Sequence, residues 1–128
     1  MNYKFFASHT FNEDDGFTAM LGFSDDQFEP SKFLIVQRAH EYDDQDIKLG
    51  MDNLHIQLED QSRAYYGGVT SISVVANTLL LKLNHSAKSS LLVDGDIEII
   101  LDLNNPNLKE TLLELELVAE REKIPFKK

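Results

Sequence analysis

The sequence predicts an α+β protein in which a mainly antiparallel β-sheet of about six to eight strands precedes a C-terminal α-helix. Short runs of β-branched, aromatic and aliphatic residues, separated by polar residues, recur through the first hundred residues, and this spacing is typical of strands. Beyond Asn105-Pro106 the apolar residues change to helical spacing. Because one core is enough to stabilise a chain of 128 residues, we expect a single domain over residues 1–128.

Three strands are predicted before residue 40. They occupy residues 3–8, 17–23 and 33–38, and the polar segments 12–16 and 24–30 connect them. The alternating residues of the second strand would share one face: Phe17, Ala19, Leu21 and Phe23. The third strand is apolar on both faces, which predicts a central place in the sheet.

Residues 39–53 have no sustained periodicity and are predicted to form one long acidic loop. A long loop in a compact domain is more often functional than idle. A fourth strand follows at residues 54–58, where Leu54, Ile56 and Leu58 alternate with polar residues.

Two hairpins are predicted in the second half of the chain. Residues 69–75 and 78–84 would pair around Ala76-Asn77, which places three leucines on one face: Leu79, Leu81 and Leu83. Residues 91–93 and 97–103 would pair around Asp94-Gly95, because Asp-Gly is a strong tight-turn pair.

The C-terminal helix is predicted to run to about residue 122. Either Asn105-Pro106 begins it, or Asn107 caps it together with Glu110. One stripe carries most of its apolar residues: Leu108, Leu112, Leu115, Val118 and Ala119. Leu113 and Leu117 fall on the opposite side. They also alternate with Glu114 and Glu116 at strand spacing, but leucine and glutamate are strong helix formers, which favours the helix.

Composition and charge restrict the classes of partner. The chain has no cysteine. The apolar run near its start is too short for a signal peptide, and no apolar stretch is long enough to span a membrane. We therefore expect a cytoplasmic protein. Residues 1–60 hold 13 acidic residues against 4 basic ones, whereas residues 61–128 hold 9 against 8. Such a field repels nucleic acid and membranes and favours a basic partner, although it also serves solubility.

Motifs for catalysis or for a cofactor are missing from the sequence. There is no G-x-S-x-G, no cysteine nucleophile and no phosphate-binding glycine loop, so we expect neither an enzyme nor a cofactor. The four histidines have no metal-ligand spacing, and the acidic run at residues 41–46 lacks the glycine and terminal glutamate of a calcium loop. We therefore expect no metal.

The glycine pair Gly67-Gly68 has two interpretations. It can supply backbone with positive φ or a close approach at the entry to a strand. Alternatively, the bend exposes Tyr65 and Tyr66 as binding anchors, because tyrosine is enriched at hot spots. In a strand these two side chains point to opposite faces, so one of them is expected in the core.

Residues 61–74, which contain Tyr65-Tyr66-Gly67-Gly68, and the following residues 77–83 together resemble the immunity protein 10 family of bacterial toxin systems. Gln37-Arg38 and residues 43–52 accompany this segment upstream. The resemblance implies a small cytoplasmic protein that binds a cognate toxin domain and blocks it. It implies no catalytic residues, because inhibition by binding needs none.

We therefore expect a cognate toxin with a basic surface as the partner. The acidic residues and the two tyrosines would contact it: Asp25, Asp26, Glu29, Glu41, Asp43, Asp44, Asp46, Tyr65 and Tyr66. Two alternatives remain open. One is a small-molecule-binding protein or enzyme with a pocket between sheet and helix. The other is a structural homodimer joined through Leu113 and Leu117.

Overall fold

Ten strands and three helices make up the fold in the computed structural model, which describes residues 1–128. In chain order the elements are β1 (Tyr3–Ala7), β2 (His9–Asp14), β3 (Thr18–Ser24), β4 (Phe33–Ala39), α1 (Asp44–Lys48), β5 (His55–Leu58), β6 (Ala64–Tyr66), β7 (Val69–Val75), β8 (Thr78–Leu83), α2 (His85–Leu91), β9 (Ile97–Leu101), α3 (Leu108–Arg121) and β10 (Phe126–Lys127).

The strands form two five-stranded sheets. Sheet A has the order β1-β9-β8-β7-β10, and sheet B has the order β2-β3-β4-β5-β6. Sheet B is antiparallel throughout, whereas sheet A contains two parallel pairs, β1 with β9 and β10 with β7. The predicted α+β class with a C-terminal helix is confirmed. The structure has two sheets and ten strands, where one sheet of about six to eight strands was predicted. As predicted, β4 lies at the centre of its sheet.

One hydrophobic cluster of 23 buried residues joins the inward faces of both sheets with α2 and α3. The predicted alternations supply much of it, since Leu79, Leu81 and Leu83 of β8 are all buried. The predicted stripe of α3 also faces the core, and Leu112 is its one partly exposed member. Leu113 and Leu117 are about half exposed, at 53% and 50%.

The N-terminal region differs from the prediction at β2. The acidic residues before Gly16 were predicted as a loop, but residues 9–14 pair with β3 along their whole length. Pairing with a neighbouring strand overrides the low strand propensity of Asn12, Glu13 and Asp14, because these side chains lie at an edge and stay exposed. Phe17 was predicted to share one face of a strand with Ala19, Leu21 and Phe23, but it lies in the turn before β3 and is 80% exposed.

The predicted hairpin around Asp94-Gly95 is wrong. Residues 85–91 form α2, and its N-cap Asn84 accepts a hydrogen bond from the Ala87 amide at 2.9 Å. The helix ends at Leu92 in the left-handed conformation, so residues 91–93 cannot pair as a strand. The strand β9 pairs instead with β8 and, in parallel, with β1.

Two helix starts also differ from expectation. The predicted loop over residues 39–53 contains α1, which begins at a capping box between Asp43 and Asp46. Asn107 occupies the N-cap position of α3 without a side-chain cap bond. Its amide donates instead to the Asn105 side chain at 3.1 Å, so Asn105 organises the entry to the helix.

Candidate partner-binding surface

The acidic segment after β4 is held in one shape by its own carboxylates. The Asp43 side chain accepts a hydrogen bond from the Asp46 amide at 2.7 Å, and the Asp46 side chain accepts one from the Asp43 amide at 3.2 Å. This reciprocal cap fixes the start of α1. Glu41 and Asp44 take no part in the cap and are exposed, so their charges face solvent.

A largely buried ion pair anchors the same segment to α3. The Arg38 Nε lies 3.3 Å from the Glu122 Oε1, and the two side chains are only 10% and 11% exposed. The Tyr42 hydroxyl donates to the same oxygen at 2.6 Å, and the Arg38 guanidinium lies 5.0 Å from the centre of the Tyr42 ring. Burial and the bond to Glu122 raise the pKa of Tyr42 to about 12. The segment that carries the acidic residues is therefore fixed to the body of the protein.

A second anchor runs through His40. The Arg121 side chain donates to the His40 Nδ1 at 2.9 Å. The Nε2–H then donates to Asp14 at 2.8 Å, and this bond is the main reason that the pKa of Asp14 is lowered. The His40 amide also donates to the Phe17 carbonyl at 2.9 Å. Residue 40 is thus bound both to the turn before β3 and to the end of α3.

The other predicted acidic residues lie at the opposite end of sheet B. Asp25, Asp26 and Glu29 belong to the β3–β4 connection, whereas residue 41 and its neighbours follow the far end of β4. A seven-residue strand separates the two ends by about 20 Å. Hydrogen bonds from Ser31 lower the pKa of Asp25, and the Phe28 amide does the same for Asp26. The two acidic groups therefore do not form one continuous patch.

The two tyrosines separate as the strand geometry predicts. Tyr65 packs against the core, whereas Tyr66 points outward and is 37% exposed. The Tyr66 ring lies 4.7 Å from that of His55 across the strand pair, and burial lowers the pKa of His55. A cleft of about 100 Å³ places Tyr66 beside Tyr42 and Asp46. Of the two predicted anchors, only Tyr66 is thus brought to the acidic segment.

Gly67 and Gly68 both have positive φ, at 82° and 81°, as the backbone interpretation of the pair requires. Their surroundings differ. A Cβ on Gly67 would meet only Asn53 at an ordinary 3.6 Å, but a Cβ on Gly68 would lie 2.5 Å from the Cβ of Ala87. At Gly68 the bend before β7 therefore packs against α2 with no room for a side chain.

The face of sheet B that points away from the core is covered by no helix. We call it the outer face of sheet B and define it by three rows of paired residues. The rows are Phe11, Gly22, Ile35, Gln57 and Ala64; Glu13, Met20, Gln37, His55 and Tyr66; and His9, Ser24 and Phe33. Glu13 is the one acidic residue in these rows, and they contain no lysine or arginine. The helix α3 lies on the other side, where Thr111 and Asn105 bond to β2.

The outer face of sheet A has a different character. Its rows contain Lys4, Lys82 and Lys127 together with Glu98, which pairs with Lys4 at 3.3 Å. Phe6 is the exposed aromatic residue of this face, at 50%. The two outer faces therefore differ in the sign of the charge that they carry.

A groove of about 250 Å³ lies between α3 and the β7–β10 edge. Its apolar lining consists of Val74, Leu112, Leu113 and Phe126. At its rim the Lys128 ammonium pairs with Glu116 at 2.8 Å. This is the place where the sequence predicted a pocket between sheet and helix. Its volume of about 250 Å³ falls below the roughly 300–1,000 Å³ of ordinary ligand pockets, and two of its three charged residues, Glu116 and Lys128, are paired with each other.

No group of three or more histidine, cysteine, aspartate or glutamate side chains comes together in a metal-binding arrangement. No helix combines the length and apolar content needed to cross a membrane.

Comparison with known proteins gives one match. A family model described as Immunity protein 10 matches residues 6–121, which covers nearly the whole chain, including the glycine pair and both acidic groups. Neither the curated proteins nor the solved structures contain a match. The protein therefore belongs to the immunity protein 10 family.

Proposed function

We propose that this protein binds a cognate toxin domain and neutralises it by covering the toxin's active surface, without performing a reaction itself. The membership of an immunity protein family carries the proposal. We place the protein in the cytoplasm, where a toxin produced by the same cell would have to be blocked. Neither a cofactor nor a metal is needed for such a role.

The partner surface that we propose is basic. The net charge of −10 supports this, because opposite charge accelerates the encounter of two proteins by about tenfold to a thousandfold at low salt. The anchored acidic segment adds a second reason. The capping box and the Glu122 ion pair order it before binding, so little conformational entropy is lost on association.

Co-expression tests the proposal directly. The chain is produced together with the toxin domain encoded beside it, and both the growth of the host and co-purification are scored. We expect the host to survive and the two chains to co-purify. A toxin that kills equally well in the presence of the folded chain, with no complex recovered, would overturn the proposed function.

The electrostatic part has its own test. Glu41→Lys with Asp44→Lys reverses two exposed charges and leaves the capping box intact. The matched control, Asp94→Lys with Glu110→Lys, makes the same change in net charge at exposed positions elsewhere. We expect the first pair to slow association by about tenfold and to weaken its salt dependence more than the control does. Equal association rates for the two pairs would exclude a role of this segment in steering.

A further inference from the structure

We infer that the outer face of sheet B is the surface that docks on the toxin, and that it fits a partner with an apolar centre and a basic rim. The inference rests on the proposed function. The toxin surface that fits is identified by its chemistry: an exposed apolar patch bordered by lysine or arginine side chains, as around a cleft that binds an anionic substrate.

The centre of the outer face of sheet B has the composition of an interface core. Phe11, Met20, Phe33 and Ile35 are apolar residues that remain partly or largely accessible on one side of a regular sheet. Interface cores are depleted of charged residues and enriched in aromatic residues and methionine. Phe11 is the most exposed of the four, at 38%, and its ring covers Gly22, where a Cβ would lie only 2.2 Å away.

Both predicted acidic groups border this same face. At one end, Asp26 lines a groove together with Phe11 and Ile35. At the other end, Asp46 lines the cleft that contains His55 and Tyr66. The two groups are too far apart to form one patch. They are well placed as the two acidic ends of a rim around an apolar centre, which is the usual arrangement of a protein interface.

The face supplies about half of the area of a standard interface. Its five strands are three to seven residues long, and at about 3.4 Å per residue and 4.8 Å between strands they give an area of roughly 400 Å². A standard interface buries about 800 Å² on each partner, and the connecting segments at the two ends supply further contact area. The exposed Phe28 in the β3–β4 connection, at 83%, extends the apolar surface at one end.

Charge distinguishes this face from the other uncovered sheet face. The outer face of sheet A carries Lys4, Lys82 and Lys127, so a basic partner would meet like charges there. The outer face of sheet B contains no lysine or arginine in its three rows. The outer face of sheet B is therefore the sheet face on which a cationic toxin surface meets no lysine or arginine in the three rows.

Two matched pairs of variants test the inference with the toxin domain encoded beside this chain as the probe. Phe11→Ala on sheet B is compared with Phe6→Ala on sheet A, since each removes an exposed phenylalanine from an outer face. Gln57→Arg on sheet B is compared with Ser73→Arg on sheet A, since each places a cation in the middle of a face. Urea unfolding of every variant shows which of them keep the fold.

We expect Phe11→Ala and Gln57→Arg each to weaken binding by about tenfold or more, and the two sheet A variants to stay within about twofold of the wild type. The arginine pair keeps the test valid if Phe11→Ala impairs folding, because it removes no apolar contact. If the wild type binds the toxin domain but only the sheet A variants weaken binding, or no variant does, the inference is overturned and the proposed function still stands. A wild-type chain that does not bind the toxin domain overturns both.

Discussion

Replacing the glycine pair one residue at a time separates backbone strain from a steric clash. Gly67→Ala and Gly68→Ala both place an alanine at a φ near +80°. The left-handed region costs a residue with a Cβ about 1–2 kcal/mol. The lower entropy of the unfolded alanine chain offsets about 0.4–1 kcal/mol of this strain. Gly67→Ala should therefore lower the free energy of unfolding by about 1 kcal/mol, because its new methyl group meets no close neighbour.

Gly68→Ala should cost more, because its methyl group would lie 2.5 Å from the buried Cβ of Ala87. Overpacking of this kind typically costs about 1–3 kcal/mol, and the sum with strain is about 2–4 kcal/mol. With a urea dependence of about 1–3 kcal/mol per molar, the midpoint should fall by about 1–2 M. Far-ultraviolet circular dichroism is the suitable signal, since the chain has no tryptophan.

A double-mutant cycle with Ala87→Gly identifies the clash itself. Ala87→Gly alone should cost about 1 kcal/mol, because glycine is a poor residue within a helix. In the double variant the two Cβ atoms no longer meet, so the loss should be smaller than the sum of the single losses by about 1–3 kcal/mol. Equal midpoints for Gly67→Ala and Gly68→Ala, or a strictly additive cycle, would refute the reasoning.

Three further predictions concern the anchors of the acidic segment and the exposed side of α3. Glu122→Ala leaves the buried Arg38 cation without its partner, and we expect urea unfolding to show a loss of about 3–5 kcal/mol; a loss below about 1 kcal/mol would contradict this. The pKa of Tyr42 is raised to about 12 in the folded chain, so its protonated form stabilises the fold fully below pH 10 and this contribution is lost between about pH 10 and 12. Tyr42→Phe should therefore make the free energy of unfolding less sensitive to pH in this window. An unchanged pH profile would exclude the contribution. Leu117→Glu should leave the sedimentation coefficient unchanged, because Leu117 is half exposed and lies outside the core cluster; conversion of a dimer to a monomer would contradict this and support a homodimer seam on α3.

The parts of the fold that local patterns determine were predictable. Leu79, Leu81 and Leu83 alternate without interruption in β8, and the apolar residues of α3 repeat at helical spacing over 14 residues. Both patterns specify which side faces the core before any tertiary contact is known. The double glycine likewise predicted positive φ, because few other residues adopt it without strain.

The parts that depend on distant residues were not predictable. The parallel pairing of β1 with β9 joins Tyr3 to Ile97, and no local signal in either strand identifies the other as its partner. This pairing places β1 in sheet A, although β2, the next strand along the chain, belongs to sheet B. The short helix α2 lacks a repeated apolar stripe, since only Ala87 and Leu91 of its residues are buried.

Dependence on distant residues also limited what the sequence could predict about the candidate surface. The sequence predicted the acidic residues, Tyr65 and Tyr66 as contact residues, but the side chains that hold the acidic segment in place lie far away along the chain. Arg38 and Glu122 are 84 positions apart, and His40 and Arg121 are 81 apart. The pairing of β3 with β4 places the two acidic groups at opposite ends of one apolar face. The residues of the two groups do not themselves indicate this arrangement.

Hydrogen–deuterium exchange of the chain, free and bound to the toxin domain encoded beside it, tests the central claim most directly. The exposed amides at the two ends of sheet B, in residues 24–33 and 40–53, should both become protected in the complex. Residues 76–78 and 92–96, which border sheet A, should exchange at the same rate in both states. Protection confined to the segments that border sheet A, or to α3, would contradict the assignment of the docking surface.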